Sequence, residues 1–578
     1  MLLFCLLLQK RRKRMGLQVI EALMHKLTAG LLCLVLAAAA VLGGCEQDRG
    51  TGAGYLFSYT LDANPRSLDP QLAEDEASLT VIGNMFSGLF RMEDTGAVTP
   101  DVAESYEISP DGCTYTIRMR QDNYWYSLGD ARQEATRTDS EDAAEHATAV
   151  TAADFVYAFQ RIFDPLTNSP YRERFACLKN ARQIMDGEMD CTRIGVDAAD
   201  TYTVVFTLEK PDANFLSLLA TTAAMPCNPS FFYACKGRYG LDEDSVISNG
   251  PFYLRMWFYD PYGKENQIYM RRNALNSRAK QVYPSNLTFY IQNAQQAEQN
   301  FRDSLTDCLI TADSSYAASD KYTALSYESL TYGLIFNPAH PQYSNLTLRK
   351  ALAQGTRSAS YGSMLGADAR EATGLIPPAV RLLGKSYREL VSQQSVQPAA
   401  EDAAALYSRA LEELDAASLE SVQILVPEGL TDYAALHEVV RQWSDLFGFY
   451  IGIAPVDPET YAQRLAAGDY AIALYGTGSD FNSPAGALQQ LLDRQAMLGM
   501  SAQTVRAVQE QLEKASGMQN LSGTVEYYRE AERLVLEDAC FVPVFYKQEY
   551  LVFRPDNEDL ALDPFTGQVF FADAKHFE

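Results

Sequence analysis

Histidine is scarce in this chain, with five among 578 residues. They are His25, His146, His340, His437 and His576, and they are scattered. His437 and Glu438 open like a zinc-protease helix, but the second histidine needed one turn later is Arg441. His437 is therefore expected on a helix surface. No Gly-x-Ser-x-Gly run occurs, so a nucleophile elbow is unsupported. Gly384-Lys385-Ser386 resembles the end of a phosphate-binding loop, but the glycine required five residues earlier is Ala379. There is no Cys-x-x-Cys pair. Basic residues are a minority, 48 Lys and Arg against 74 Asp and Glu, a formal charge of −26. So acidic a surface repels phosphate backbones, which excludes nucleic acid as a partner. The many carboxylates leave a two-carboxylate hydrolase formally open, and spacing singles out no pair.

The one long apolar run is Leu27 to Leu42, 16 residues. A membrane span needs about 20. His25 and Lys26 precede the run, and Leu42-Gly43-Gly44-Cys45 comes after it. This is the pattern of a signal peptide ending in a lipobox, in which Cys45 becomes the acylated N-terminus. It resembles that of bacterial lipoproteins, with Met15 or Met24 as the expected start. Two acyl chains hold a protein stably on a membrane. Residues 46–54 read as a tether, rich in glycine and charge. Seven cysteines remain after Cys5, Cys33 and Cys45. The odd number argues against a full disulfide framework. Cys227 with Cys235, or Cys177 with Cys191, could pair, but isolated thiols are expected.

The rest of the chain alternates strand and helix signals. Thr114 to Arg120 places Tyr115, Ile117 and Met119 at period two, the pattern of a half-buried strand. Val204, Phe206 and Leu208 repeat it. Thr151 and Asp154 form a capping box before a helix with Phe155, Phe159, Ile162 and Phe163 on one face. Asp164-Pro165 ends that helix. Ser344 to Gln354 and Tyr433 to Leu446 are further helix candidates, and Tyr470 to Tyr475 an apolar strand. Residues 129–148 and 392–405 read as loose insertions. This mixture over more than 500 residues predicts an α/β protein of two lobes.

Several segments, in order, carry a resemblance. Asn64-Pro65-Arg66-Ser67-Leu68-Asp69-Pro70 is followed by Met85-Phe86-Ser87-Gly88-Leu89 and by Val98-Thr99-Pro100-Asp101-Val102-Ala103-Glu104-Ser105-Tyr106. Thr151 to Arg161 reads T-A-A-D-F-V-Y-A-F-Q-R and continues into Asp164-Pro165 and Ser169-Pro170-Tyr171. Ser248-Asn249-Gly250-Pro251-Phe252, Leu346 to Leu352 and Phe541 to Tyr546 complete the series. Together they resemble the oligopeptide-binding proteins of ABC importers, the peptide/nickel class of solute-binding lipoproteins (family 5, cluster C). The resemblance runs from about residue 55 to 578.

It implies a periplasmic-binding-protein type II fold, α/β, with two hinged lobes and an extra domain inserted in lobe one. The expected boundaries are 1–45 for the signal peptide and 46–54 for the tether. Lobe one is expected at 55–289, with its insertion at about 87–209. Lobe two comes next at 290–545, and 546–578 returns to lobe one. The implied function is capture of short peptides between the lobes and delivery to ABC importer permease subunits. The protein would sit on the extracytoplasmic face of the cell membrane, or in the periplasm where an outer membrane exists. A monomer is expected, with no cofactor and no enzymatic step. Such a receptor bonds the peptide backbone like an added strand.

The resemblance also implies the site. Its peptide-facing segments match Glu74-Asp75-Glu76 and Gly476-Thr477-Gly478. Asp480, in the run Asp480-Phe481-Asn482-Ser483-Pro484, matches the residue that pairs with a peptide's α-amino group; alternatively it caps a helix starting near Pro484. Tyr171, Asn249, Asn482 and Tyr546 match positions near the pocket, and Tyr546 is equally suited to core packing. The chain departs from the pattern in three places. Thr477 stands where relatives often carry Trp, and Leu474 where they carry an Arg that meets a peptide carboxylate. Glu76 replaces an apolar residue and adds negative charge to the mouth, which points to basic or N-terminally exposed peptides. The alternatives are another solute on the same fold (oligosaccharide, metal chelate, haem, cell-wall peptide), or a surface adhesin or hydrolase.

Overall fold

The computed structural model describes residues 54–577 apart from 94–95, 131–146, 264, 358–364, 366–368, 393–396, 398–400 and 431–432. The signal peptide, Cys45, most of the tether, His146 and the bulk of the two expected insertions lie outside the described residues. Gly54–Lys575 forms one compact unit. No helix among the described residues is long and apolar enough to cross a membrane.

Apolar side chains collect into separate cores. The largest draws on residues from Phe57 to Ile291 and again from Leu551 to Ala574. Two others pack the faces of one sheet between Leu334 and Phe545. The chain therefore builds one body, crosses to a second, and returns.

The first body is built around two four-stranded sheets. Leu56–Leu61 pairs in parallel with Asn286–Ile291, and Gln267–Arg272 and Phe252–Phe258 continue the sheet antiparallel. The other sheet runs Ala103–Ile108, Thr114–Met119, Thr203–Thr207, Val196–Asp200, all antiparallel. The period-two reading of Thr114 to Arg120 holds: Tyr115, Ile117 and Met119 are buried. The capped helix forms at Ala152–Phe163, and the Thr151 N–H donates to Asp154 Oδ2 at 2.7 Å. The Trp125 indole donates to the same oxygen at 3.2 Å, which ties the helix start to the neighbouring strand.

The second body is a seven-stranded sheet. Its order is Cys308–Thr311, Phe541–Phe553, Thr323–Phe336, Ile472–Thr477, Gln423–Pro427, Gly452–Val456, with Ala369–Glu371 also on Phe541–Phe553. The two long strands are antiparallel partners from Thr323↔Phe553 to Ile335↔Phe541. One end of this ribbon, at Leu551 and Phe553, belongs to the first core, and the other, at Leu334 and Val542, to a second. It is the crossover. Its register shifts between Tyr327 and Leu330 and again between Tyr332 and Gly333, where a bulge adds local twist. The other expected helices appear as Leu346–Arg357 and Ala434–Phe447, and His437 is exposed on the latter. All seven described cysteines are free thiols.

Candidate functional site

The cavity of about 820 Å³ is walled by residues 74–101, 171–225, 251 and 278 of the first body, 326–328, 378–381 and 480–482 of the second, and the returning segment 559–573. That volume falls in the range of ligand sites. The two bodies also meet around it. Asn482 Nδ2 donates to the Gly96 carbonyl at 3.3 Å, and Asn214 Nδ2 donates to the Tyr528 hydroxyl at 2.7 Å. Gln519 Nε2 reaches the Pro110 carbonyl at 2.7 Å.

The acidic wall begins at a helix start. Asp75 caps the helix Glu76–Met85, accepting from the Ser78 N–H at 2.9 Å and its hydroxyl at 2.8 Å. Its carboxylate is spent there, and Asp75 does not line the cavity, whereas Glu74 and Glu76 do. The segment before them is held rigidly. Arg161, 5% exposed, donates to both Asp69 oxygens, at 3.0 and 2.5 Å, and to Gln71 at 2.7 Å. The Ser169 hydroxyl holds the Gln71 carbonyl at 2.7 Å, and the Tyr171 hydroxyl donates to that of Ala73. Tyr171 thus lines the cavity with its ring while its hydroxyl fixes the acidic segment. Burial pushes its phenol up to about 12, with Arg174 opposing.

On the facing wall the sharp turn after Ile472–Thr477 carries Asp480 and Asn482 into the cavity. Ser483, not Asp480, caps the helix Pro484–Asp493, accepting from the Ala485 N–H at 3.1 Å. The capping alternative for Asp480 is thereby corrected. Asp480 instead receives the Gln490 amide on one oxygen and lies 3.5 Å from the Arg174 guanidinium with the other. Asn482 accepts from the Arg381 N–H at 2.7 Å.

The remaining expected residues sit behind the wall. Gly476, Thr477 and Gly478 do not line the cavity. A Cβ on Gly476 would lie 3.0 Å from the Tyr332 ring, and one on Gly478 2.7 Å from the Ser329 carbonyl. Close strand packing explains both glycines. Thr477 is in register with Thr331 and is buried. Asn249 is fully buried, exchanging hydrogen bonds with the Ser87 N–H (3.1 Å) and carbonyl (2.8 Å). It shapes the wall at Ser87-Gly88 without touching the cavity. Tyr546 is core: its hydroxyl accepts from the Thr373 and Gly374 N–H groups at 3.1 and 3.0 Å.

Charge is the site's dominant property. Among the described residues, nine carboxylates line the cavity against four guanidiniums and no lysine or histidine, five more acidic groups than basic ones. Several are paired: Glu93 with Arg91 at 2.9 Å, Asp573 with Arg91 at 3.1 Å and Arg278 at 2.6 Å, Asp559 with Lys575 at 2.6 Å. Glu328 is held by Arg370. Glu74, Glu76 and Asp101 have no basic partner within ion-pair distance among the described residues. Asp101 is 6% exposed, and one of its oxygens has no hydrogen-bond partner. Burial raises its carboxyl, against the field of Arg278. Glu76 opens to the cavity but is ringed by protein; burial, with Asp62 and Glu549 nearby, lifts it from 4.5 to about 7.

Sequence reading missed Arg91, Arg174 and Arg278, and the turn at 559–573. Only Arg174 carried a signal, three residues past the matched Tyr171 and so one helical turn away. Arg91, two residues past the matched Leu89, lies in the short strand Phe90–Met92, and Arg278 lies far from every matched segment.

Comparison with known proteins places the chain. Among similar sequences is the Escherichia coli K12 protein named "Probable deoxycholate-binding periplasmic protein YgiS", 24% identical, covering 91% of this chain and 95% of that one. Another is the oligopeptide-binding protein OppA of Bacillus subtilis 168, 22% identical over 94% and 98%. The solved structure of Listeria monocytogenes OppA bound to peptide superposes with a TM-score of 0.66, at 21% identity, over 91% of this chain and 99% of that one. That likeness establishes the fold, a two-lobed type II architecture. Residues 97–498 match the family described as bacterial extracellular solute-binding proteins, family 5, in its middle segment, and the chain belongs to that family.

Proposed function

We propose that this protein is an extracytoplasmic receptor that captures short peptides of net positive charge between its lobes and delivers them to an ABC importer. The single observation carrying the reading is a cavity walled by both bodies with five more carboxylates than guanidiniums. A ligand touching both walls stabilises the closed arrangement over the open one, and a permease can then read closure instead of peptide sequence. The names of relatives such as OppA support the peptide class. An anionic ligand such as deoxycholate would meet the negative excess, so the charge argues against carrying over the substrate in the name of YgiS. Glu74, Glu76 and Asp480 are the residues that would meet ligand cations, and Tyr171 and Asn482 its backbone and side chains. Gly476, Thr477, Gly478, Asn249 and Tyr546 shape the walls. Cys45, in its lipobox, would anchor the receptor to the membrane as a monomer.

The test is native mass spectrometry of the full chain purified in detergent. A ladder of bound masses sequencing as short peptides is expected, with Lys and Arg enriched over Asp and Glu. One discrete non-peptide mass would overturn the substrate class. If the cleft emerges empty, titration with a peptide pool decides, and absence of saturable binding refutes the reading.

A further inference from the structure

The cavity already contains a cation of its own. Arg174 lies in a 3-10 turn of the first body, Glu173–Phe175. Its guanidinium carbon stands 4.7 Å from the centroid of the Tyr171 ring and 5.9 Å from that of Phe481. One of its nitrogens is 3.5 Å from Asp480 Oδ2. The Arg174 side chain is 17% exposed, against 56% for Asp480. A carboxylate flanked by two ring faces is a seat for a partly desolvated cation. Half of the seat, Tyr171, belongs to the first body and the other half, Asp480 and Phe481, to the second. Gln490 holds the other Asp480 oxygen and also accepts from the Gly478 N–H at 3.3 Å, so the carboxylate is fixed in place.

Resting on the reading of this cleft as a peptide site, we propose that Arg174 is a self-ligand: it fills the cation seat formed by Asp480, Tyr171 and Phe481, and a bound ligand must displace it. An incoming ammonium or guanidinium gains the ring faces and the carboxylate only by moving Arg174 away. Ligands lacking a cation leave Arg174 seated and gain nothing from the seat. Arg174 therefore weakens the advantage of a free amine and sets how strongly the receptor discriminates by N-terminal charge. A plain strut between the lobes would behave oppositely, because its removal weakens closure around every ligand.

The experiment uses the full chain and Arg174→Gln, with two tetrapeptide pools free of Lys and Arg, one with free α-amines and one N-acetylated. The exposed pair and the ring contacts each have modest worth, so about a fivefold gain in affinity for the free-amine pool is expected, with the acetylated pool unchanged. Equal loss for both pools identifies a strut and overturns the proposal, as does an unchanged ratio between them. If neither protein binds either pool, the peptide reading fails by itself, and a second measurement decides the seat. In Arg174→Ala without ligand, hydrogen exchange at residues 478–484 should quicken, and millimolar methylguanidinium should restore the wild-type rate. Failure of that rescue overturns the proposal independently of any peptide.

Discussion

Replacing Glu76 by Gln should change stability in a pH-dependent way that can be worked out beforehand. Glu76 titrates near 7 in the folded chain because burial, Asp62 and Glu549 all disfavour its charge. Its ordinary value is 4.5. Below 4.5 the carboxyl is protonated in both folded and unfolded chains and contributes no difference. Between 4.5 and about 7 the folded chain holds more protons, so this contribution to stability is lost as pH rises and stays lost above about 8. The full difference corresponds to about 3.4 kcal/mol at 1.36 kcal/mol per pH unit. Water in the cavity reaches the side chain and screens it, so a net effect of about 1 kcal/mol is the reasonable figure. Urea unfolding of wild type and Glu76→Gln at pH 4, 6 and 8 measures it. The variant should match wild type at pH 4 and exceed it by about 1 kcal/mol at pH 8. Curves that stay parallel across this range would refute the argument, since a change of packing alone carries no pH dependence. The same logic reaches the ligand: a cation bound beside Glu76 lowers its pKa again, so binding near pH 7 should release a proton. Calorimetry in buffers of different ionisation enthalpy would register that release in wild type and its loss in Glu76→Gln.

Further outcomes come from the buried framework behind the cavity. Arg161→Met leaves Asp69, 2% exposed, without its guanidinium and should cost about 3–5 kcal/mol in urea unfolding; a loss under about 1 kcal/mol would mean the pair is not the anchor of the acidic segment. Gly250→Ala places a Cβ 2.5 Å from the Met85 carbonyl and the Phe86 nitrogen, all backbone, and should destabilise by about 1–3 kcal/mol, visible as a lowered melting temperature. Glu532→Gln removes the charge that Arg388 meets at 2.5 Å and that the Leu375 N–H meets at 2.7 Å, and should cost about 3 kcal/mol. Because Glu532 is buried inside the second body and does not line the cavity, that loss should appear without change in the ratio of affinities for basic and acidic peptides.

Legibility in the sequence divides along a physical line. Local patterns read correctly because they express local physics. The alternation at Tyr115, Ile117 and Met119 is a strand's own geometry, and the Thr151–Asp154 box is a helix end satisfying its own donors. The run around Asp480 placed three residues in the cavity, Asp480, Phe481 and Asn482, because the chain turns outward where the buried strand ends. The readings at Asp75, Asn249 and Gly476 picked residues that build the wall and do not face the cavity. Such residues are as constrained as contact residues, so a motif cannot tell the two apart. Asn249, spent on the Ser87 backbone, is the clearest instance. Arg91 and Arg278 were not legible. Arg91 and Arg278 meet at Asp573, which lies hundreds of residues from either, and no spacing rule spans that separation. Their role is a product of the fold's return from the second body to the first.

The charge of the cavity and the contacts between the bodies belong to one device. Polar contacts between the bodies, such as those of Asn482, Asn214 and Gln519, are each worth about 1 kcal/mol. Against them stand like charges on opposite walls, Glu74 and Glu76 on one and Asp480 on the other. An empty cavity therefore resists closing. Moving a two-state equilibrium from mostly open to mostly closed takes about 5.5 kcal/mol of differential binding. A neutral ligand must find all of it in contacts to both walls. A cationic ligand gains part of it by relieving the repulsion, so its charge acts on closure as well as on affinity. The acidic lining thus couples recognition to the conformational change, and the size of the excess sets how much of the closure energy the ligand's charge supplies.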